Sequence, residues 1–141
     1  MNNLLTEQVQ TWSWPEDVEK WLRSQAIGFS LNMPCGSSKV GSIRVDLDKT
    51  VKPDIVADLK HPPFLPQSFD MVICDPPFNF YNRFKWIRRI EVLAKNRLIF
   101  SSPLVSIKLR NWSKSFHIIE TAGKPMLRLF CIFDRENKVL T

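Results

Sequence analysis

The residues best suited to do chemistry form one short run, Asp75-Pro76-Pro77-Phe78. Asp75 supplies carboxylate acceptors. The two prolines stiffen the turn and leave neighbouring acceptors unpaired, because proline has a fixed φ and no backbone N–H. Phe78 adds a flat apolar ring next to the acid. The run therefore predicts a rigid pocket with one acceptor-rich corner and one surface on which a ring can stack.

This run follows a segment that the sequence predicts to be a buried strand. Met71 to Cys74 are all apolar, which is typical of a strand covered on both faces of a parallel sheet. Asp75 then falls at the carboxyl end of the strand, where open α/β sheets bind their ligands.

Three other predicted strands end in similar chemistry, at Pro34-Cys35-Gly36, Asp46 and Asp58. Parallel strands bring such ends to one edge of the sheet. A glycine lets a ligand approach the backbone, an acid after the second strand suits ribose hydroxyls, and Asp58 could accept from the amine of adenine. The pattern indicates a nucleoside-containing cofactor that lies across the strand ends, with Asp75 near its reactive end.

The elements that must position these residues are short. The pattern predicts an α/β fold with a strand through Met71–Cys74, helices at about 14–25 and 80–95, and further strands at 29–33, 43–48, 54–58, 97–101, 116–120 and 127–134, the last two forming a hairpin. About nine, five and eleven residues connect the first four strands, whereas a parallel crossover usually takes a dozen or more. Several crossover helices are therefore expected to be shortened or absent. The amino-terminal helix, or a second subunit in a homodimer, is expected to cover the exposed sheet.

The composition predicts one globular domain over residues 1–141, with no membrane span and no signal peptide. Three widely spaced cysteines and two isolated histidines predict reduced thiols, a cytoplasmic location and no metal site. The net charge of +6 is uneven, because residues 1–70 hold 7 Lys and Arg against 9 Asp and Glu, and residues 71–141 hold 13 against 5. A polyanionic partner of the second half explains this asymmetry, and a merely solvated basic surface is the alternative.

The order of these motifs resembles that of class I S-adenosylmethionine-dependent methyltransferases. In this chain the glycine turn, the two acids and Asp75-Pro76-Pro77-Phe78 follow one another in the unpermuted order. The last run is similar to the Asp/Asn/Ser-Pro-Pro-aromatic signature of enzymes that methylate exocyclic amines of bases in DNA or RNA. The resemblance covers residues 28–135 and implies a Rossmann-like, mostly parallel sheet with a carboxyl-terminal antiparallel hairpin.

The resemblance also implies a cofactor site. Its residues in this sequence are Pro34, Cys35, Gly36, Asp46, Asp48, Asp58, Leu59 and Asp75. The glycine turn would face the methionine part of S-adenosylmethionine, and Asp46 would hold the ribose, with Asp48 as the second choice. Asp58 and Leu59 would bracket the adenine.

The implied catalytic motif consists of Asp75, Pro76, Pro77 and Phe78. The Asp75 carboxylate and the Pro76 carbonyl would hydrogen-bond the target amine, and Phe78 would stack on its base. The helix that follows carries four basic residues, Arg83, Lys85, Arg88 and Arg89. They are expected to contact DNA or RNA, and a solvated helix face is the alternative.

The sequence thus predicts an S-adenosylmethionine-dependent methyltransferase that acts on an exocyclic amine of a nucleic-acid base, with adenine N6 as the preferred target. The alternative is a catalytically inactive methyltransferase-like scaffold that binds nucleic acid or a partner protein. Ser38 favours this alternative, because it stands where the family usually has a second glycine. A small-molecule or protein amine as acceptor is a weaker alternative, since it leaves the basic second half unexplained.

Overall fold

The computed structural model describes residues 14–76, 83–102, 108–120 and 127–136, and within α2 it describes side chains from Ile87 onward. Two helices and seven strands lie in these residues. Their bounds are α1 Glu16–Gln25, β1 Ser30–Asn32, β2 Ile43–Asp46, β3 Ile55–Val56, β4 Phe69–Cys74, α2 Arg83–Glu91, β5 Ala94–Ser102, β6 Trp112–Glu120 and β7 Leu127–Arg135.

All seven strands belong to one sheet in the order β3-β2-β1-β4-β5-β7-β6. The strands from β3 to β5 in this order pair in parallel, whereas β7 is antiparallel to both β5 and β6. The predicted fold class, a mostly parallel α/β sheet with a terminal antiparallel hairpin, is confirmed. The chain changes direction across the sheet between β1 and β4, and such a switch point is where open α/β sheets bind ligands.

The central strand β4 is buried on both faces, because its side chains alternate between two apolar clusters. Val72 and Cys74 belong to the cluster on the α2 side, which includes Ile87 and Ile90 of that helix. Met71 and the other side chains of the opposite face belong to a second cluster. The continuous apolar run of the sequence therefore reflects a strand with a core on each side.

Helix α1 covers this second face of the sheet. Val18 and Leu22 of the helix are fully buried against Met71 and Phe130. The ring of Trp14 lies 5.5 Å from the ring of Phe130, centroid to centroid. The amino-terminal helix thus shields the sheet as expected, and the homodimer stays a prediction.

The crossovers between the first four strands are short in the part of the chain that the structure describes. Only a 3-10 helix at Lys49–Val51 lies between β2 and β3, and residues 33–42 and 57–68 contain no helix. The expectation that crossover helices are shortened or absent is confirmed. None of the described helices is long and apolar enough to span a membrane.

Several predicted boundaries differ from the structure, and the two largest differences concern the end of α2 and the start of β6. Helix α2 ends at Glu91 rather than near residue 95, and Ala94 begins β5 by pairing with Phe69. The apolar periodicity continued past the helix because Leu93 and Ala94 enter the same apolar cluster as α2. The first hairpin strand begins at Trp112 rather than at residue 116. At the amino terminus of α1, Pro15 is the N-cap.

Candidate active site

Four predicted site segments come together at the carboxyl edge of the parallel strands. Parallel pairing aligns Asn32 of β1 with Arg44 of β2 and with Ile73 of β4, and Asp46 of β2 with Val56 of β3. The loop after β1, the end of β2, and the residues that follow β3 and β4 therefore share one edge. Strand pairing thus gives these segments the common edge that the sequence predicted.

The predicted catalytic motif is described in part. Asp75 and Pro76 follow β4 directly and are half-buried. Beneath them, Cys74 is fully buried. Pro77 and Phe78 lie outside the described residues, so the stacking role of Phe78 stays a prediction.

The loop after β1 extends the sheet before it turns. The N–H of Met33 donates to the carbonyl of Ile73 at 3.0 Å, and the N–H of Cys35 donates to the carbonyl of Val45 at 3.0 Å. The Met33–Pro34 peptide bond is cis, and Gly36 has a φ of +52°. This left-handed conformation favours glycine, because a side chain would clash there. The predicted residues Pro34, Cys35 and Gly36 therefore lie between the ends of β4 and β2.

Asp46 holds this loop through its carboxylate. One oxygen accepts from the N–H of Gly36 at 2.8 Å, and the other accepts from the N–H of Asp48 at 2.9 Å. A carboxylate oxygen has two acceptor sites, so each oxygen keeps one for a further donor. Asp46 is therefore the acid best placed to receive a pair of ribose hydroxyls beside the glycine turn.

Asp48, the second choice for the ribose, has a local structural role. Its exposed carboxylate accepts from the hydroxyl of Thr50 at 2.7 Å and from the N–H of the same residue at 2.9 Å. It is the N-cap of the 3-10 helix. The hydrogen bond from the Thr50 hydroxyl, followed by the one from its N–H, lowers the pKa of Asp48 below its ordinary value.

Asp58 and Leu59 follow β3 and differ in exposure. The Asp58 carboxylate is half-buried and accepts from the N–H of Lys60 at 2.9 Å. Leu59 is buried in the core with Met33 and Val45. Asp58 thus stays at the edge, where it can meet a ligand, whereas Leu59 mainly supports the loop from below.

Arg44 is a residue of this site that the sequence reasoning missed. Its side chain is buried, and it donates to the carbonyls of Ser38, Gly36 and Lys52, the last two at 3.2 Å. In the sequence, Arg44 alternates with the apolar residues Ile43 and Val45, so it faces away from their cluster. The guanidinium therefore holds the loop after β1 in place, in a crossover that contains no helix.

Ser38 occupies the position of the second glycine of the resembling family. It is buried, and its hydroxyl accepts from the side-chain amide of Asn32 at 3.2 Å and from the N–H of Val40 at 3.2 Å. The Asn32 amide also donates to the carbonyl of Val40 at 3.1 Å. Ser38 thus joins the loop to β1.

We expect the variant Arg44→Lys to lower the free energy of unfolding by about 1–3 kcal/mol. A lysine ammonium is a single compact donor group, so it cannot contact the carbonyls of Gly36, Ser38 and Lys52 together. Denaturant titration followed by circular dichroism measures the change. The control is Arg23→Lys on α1, whose exposed pair with Glu19 should change stability by about 0.5 kcal/mol or less. Equal losses in the two variants would contradict the role of Arg44.

The two basic residues of α2 whose side chains are described, Arg88 and Arg89, have different surroundings. The guanidinium of Arg89 donates to the carbonyl of Lys60 at 2.6 Å and lies 3.0 Å from Nδ1 of His61. Arg88 instead lines a cleft with residues that precede β6. Arg83 and Lys85 lie in the first turn of α2, next in the chain to the catalytic motif, and their side chains are outside the described residues. Arg89 therefore ties α2 to the loop after β3 as well as being available at the surface.

The thiols are not arranged as nucleophiles. Cys35, Cys74 and Cys131 are buried and form no disulfide bond. Burial raises the pKa of Cys35 to about 11, and burial together with the neighbouring Asp75 carboxylate raises the pKa of Cys74 well above its ordinary value. In the described residues no three His, Cys, Asp or Glu side chains are grouped as metal ligands would be. The chemistry available at this edge is thus that of carboxylates and carbonyls.

The sheet order, with its parallel strands and terminal antiparallel pair, defines a methyltransferase-like fold that solved structures share. One is the crystal structure of HI0767 from Haemophilus influenzae, described as a proposed methylase, with a TM-score of 0.52 and 19% identity over 86% of this chain and 96% of that chain. Another is yhhF from Escherichia coli, described as a proposed methyltransferase, with a TM-score of 0.54 and 18% identity over 87% of this chain and 84% of that chain. At these identities the likeness concerns the fold. No protein-family model matches the chain, and a search of curated proteins finds no match.

Proposed function

We propose that this protein transfers a methyl group from S-adenosylmethionine to an exocyclic amine of a nucleic-acid base, with adenine N6 as the preferred target. The observation that carries the proposal is the carboxylate of Asp46, which holds the Gly36 turn on the same sheet edge as Asp75. A cofactor that spans these ends would place its reactive group close to the acid after β4.

The residues at this edge fit the cofactor. Asp46 keeps one acceptor site on each carboxylate oxygen, which matches the two hydroxyls of a ribose. The turn through Pro34, Cys35 and Gly36 would adjoin the methionine part, and Asp58 would adjoin the adenine. S-adenosylmethionine, when bound, supplies an electrophilic methyl group on its sulfonium.

The contribution of Asp75 and Pro76 concerns the amine. An aromatic amine is a weak nucleophile because its lone pair is delocalised into the ring. Two acceptors that hold its N–H groups favour the sp³-like geometry in which the lone pair can attack. They also stabilise the positive charge that develops on the nitrogen. Positioning the amine in line with the methyl group supplies a further part of the rate enhancement.

The charge distribution of the chain supports a nucleic-acid base as the target. Residues 71–141 carry 13 Lys and Arg against 5 Asp and Glu, and α2 begins a few residues after the catalytic motif. A basic helix at that position would meet phosphates next to the reacting base. A base inside a duplex would first have to be flipped out of the stack.

The experiment combines cofactor binding with methyl transfer. We expect calorimetry to detect binding of S-adenosylmethionine and of its demethylated product. Tritium should pass from labelled cofactor to mixed DNA or RNA, because the proposed cofactor acid, Asp46, and the proposed amine-binding acid, Asp75, share one edge. Nucleoside analysis of the labelled product then identifies the base.

Each outcome of this experiment has a clear meaning. Cofactor binding without transfer to any nucleic acid would contradict the enzyme and favour an inactive scaffold. No heat and no thermal shift at saturating cofactor would contradict the cofactor as well. Label on a protein or on a small amine would move the acceptor to another class.

A further inference from the structure

A second basic feature lies at the opposite edge of the sheet. A cleft of about 870 Å³ is lined by residues that precede β4, β5 and β6 and by the end of α2. Gln67, Val92 and Asn111 each stand just before a strand or one residue further back. The cleft therefore opens at the amino edge of the parallel strands, whereas Asp75 lies at the carboxyl edge.

The charged residues in the described lining of this cleft are mostly cationic. Its charged residues are Arg88, Glu91, Lys108, Arg110 and Arg135. Glu91 accepts from the indole N–H of Trp112 at 2.9 Å, so part of its acceptor capacity is already used. Lys108, Arg110 and Arg88 are exposed. Among the described residues no carboxylate forms an ion pair with these cations, so the wall carries an excess of positive charge.

Arg135 forms the fixed part of the wall. Its guanidinium donates to the carbonyls of Lys95 and Ala94 at 2.8 and 2.9 Å, and it lies 4.2 Å from the ring centroid of Trp112. A guanidinium held in this way keeps its charge, because carbonyl acceptors are neutral. The cleft therefore combines a rigid cation with three exposed, adjustable ones.

Helix α2 connects the two edges. It begins at Arg83, after the catalytic motif, and ends at Glu91 in the cleft. The six residues of β4 separate the cleft from Asp75 by roughly 20 Å, at about 3.3 Å per residue. This distance corresponds to about six base-pair steps of a duplex at ~3.4 Å each. A small anion would occupy only one end of the surface between the cleft and Asp75. The phosphate backbone of a nucleic acid is long enough to contact both ends.

We propose that the cleft formed by Arg88, Lys108, Arg110 and Arg135 binds the phosphate backbone of a nucleic acid at a distance from the reacting base. The choice of a nucleic acid as the polyanion rests on the proposed function. The cations themselves suit phosphate, because guanidinium groups match phosphate oxygens in bidentate geometry and the ammonium of Lys108 adds a point charge.

The test is a binding measurement without cofactor. Fluorescence anisotropy is recorded with duplex RNA and with duplex DNA of one sequence, for the full chain and for the double variant Lys108→Gln/Arg110→Gln. We expect about tenfold weaker binding and a salt slope, log K against log salt, that is smaller by about 2, near 0.9 for each lost phosphate contact. Equal losses of affinity with both duplexes would show that the cleft contacts the phosphate backbone common to RNA and DNA. A loss of affinity with only one duplex would show which nucleic acid the cleft binds.

Two controls separate the cleft from total charge and from folding. Lys20→Gln/Arg23→Gln removes the same charges from α1 on the other face and should leave affinity within about twofold. Lys108→Arg/Arg110→Lys keeps the charges and should retain binding. The proposal is overturned if the cleft variant binds like the α1 variant, if polyglutamate competes as well as nucleic acid, or if the unmodified chain binds neither duplex. Because no methyl transfer is measured, an inactive protein could still bind through the cleft, and an active enzyme could fail this test alone.

Discussion

Replacing Asp75 with alanine is expected to lower the rate of methyl transfer by about 10²- to 10³-fold, the range found when one preorganised charge-stabilising group is removed from an active site. The affinity for S-adenosylmethionine should stay within about twofold. Asp75 directly follows β4 and is half-buried, so its carboxylate can act on the amine without supporting the core. Single-turnover transfer of tritium measures the rate, and calorimetry measures the affinity.

Two matched variants sharpen this result. Asp75→Asn keeps an acceptor oxygen for the amine and is therefore expected to retain more activity than Asp75→Ala. Glu16→Ala removes an exposed carboxylate from α1, far along the chain from this edge, and should transfer at the normal rate. A rate above one tenth of normal in Asp75→Ala, or a simultaneous loss of cofactor binding, would remove Asp75 from the proposed role.

Replacing Asp46 with alanine is expected to weaken the binding of S-adenosylmethionine by about 100-fold or more. The variant removes the proposed acceptor for the ribose, and it also removes the acceptor for the N–H groups of Gly36 and Asp48. Hydrogen bonds to a charged group contribute about 1.5–3 kcal/mol each. The loop after β1 should therefore lose order along with affinity. Calorimetry gives the affinity, and thermal unfolding without cofactor gives the stability.

Asp48→Ala is the control, since Asp48 is an exposed acid two residues further along the same chain segment. Its carboxylate accepts from Thr50 and does not contact the glycine turn in the described structure. We expect it to weaken cofactor binding by about threefold or less, since it removes only a cap. If the two alanine variants bind cofactor equally well, the ribose is held elsewhere.

Much of the fold could be predicted from the sequence because the parallel strands have a strong local pattern. Met71 to Cys74 are apolar on both faces, and the structure buries both faces. The end of α2 could not be predicted in the same way. Leu93 and Ala94 keep the helical spacing and enter the same core, yet Ala94 pairs with β4 as a strand. Burial alone does not distinguish the last turn of a helix from the first residues of a strand.

The sheet edge that carries the candidate site could be predicted from the strand ends, whereas the contacts that hold the loop after β1 could not. Parallel pairing puts the ends of β2 and β4 at one edge, with Asp46 at the end of β2 and Asp75 directly after β4. The contacts of Arg44 could not be predicted from the sequence, because a charged residue within a short strand is usually exposed. Its side chain is buried where the guanidinium donates to carbonyls of the loop after β1, in a crossover that contains no helix. The role of Ser38 could not be predicted either, since its hydrogen bond with Asn32 is revealed only by the tertiary structure.

Arg44 also makes the candidate site depend on a distant edge of the sheet. Its side chain contacts Gly36 on one side and Lys52 on the other, and its backbone N–H donates to the Asp54 carboxylate at 2.8 Å. β3 has two residues and lies at the sheet edge, so this region should open locally at a lower free energy than β4. Opening would release the arginine from the loop. A ligand that binds only when the loop is in place therefore stabilises the β3 edge by mass action. Conversely, a change that makes this edge open more often should weaken the binding of the ligand.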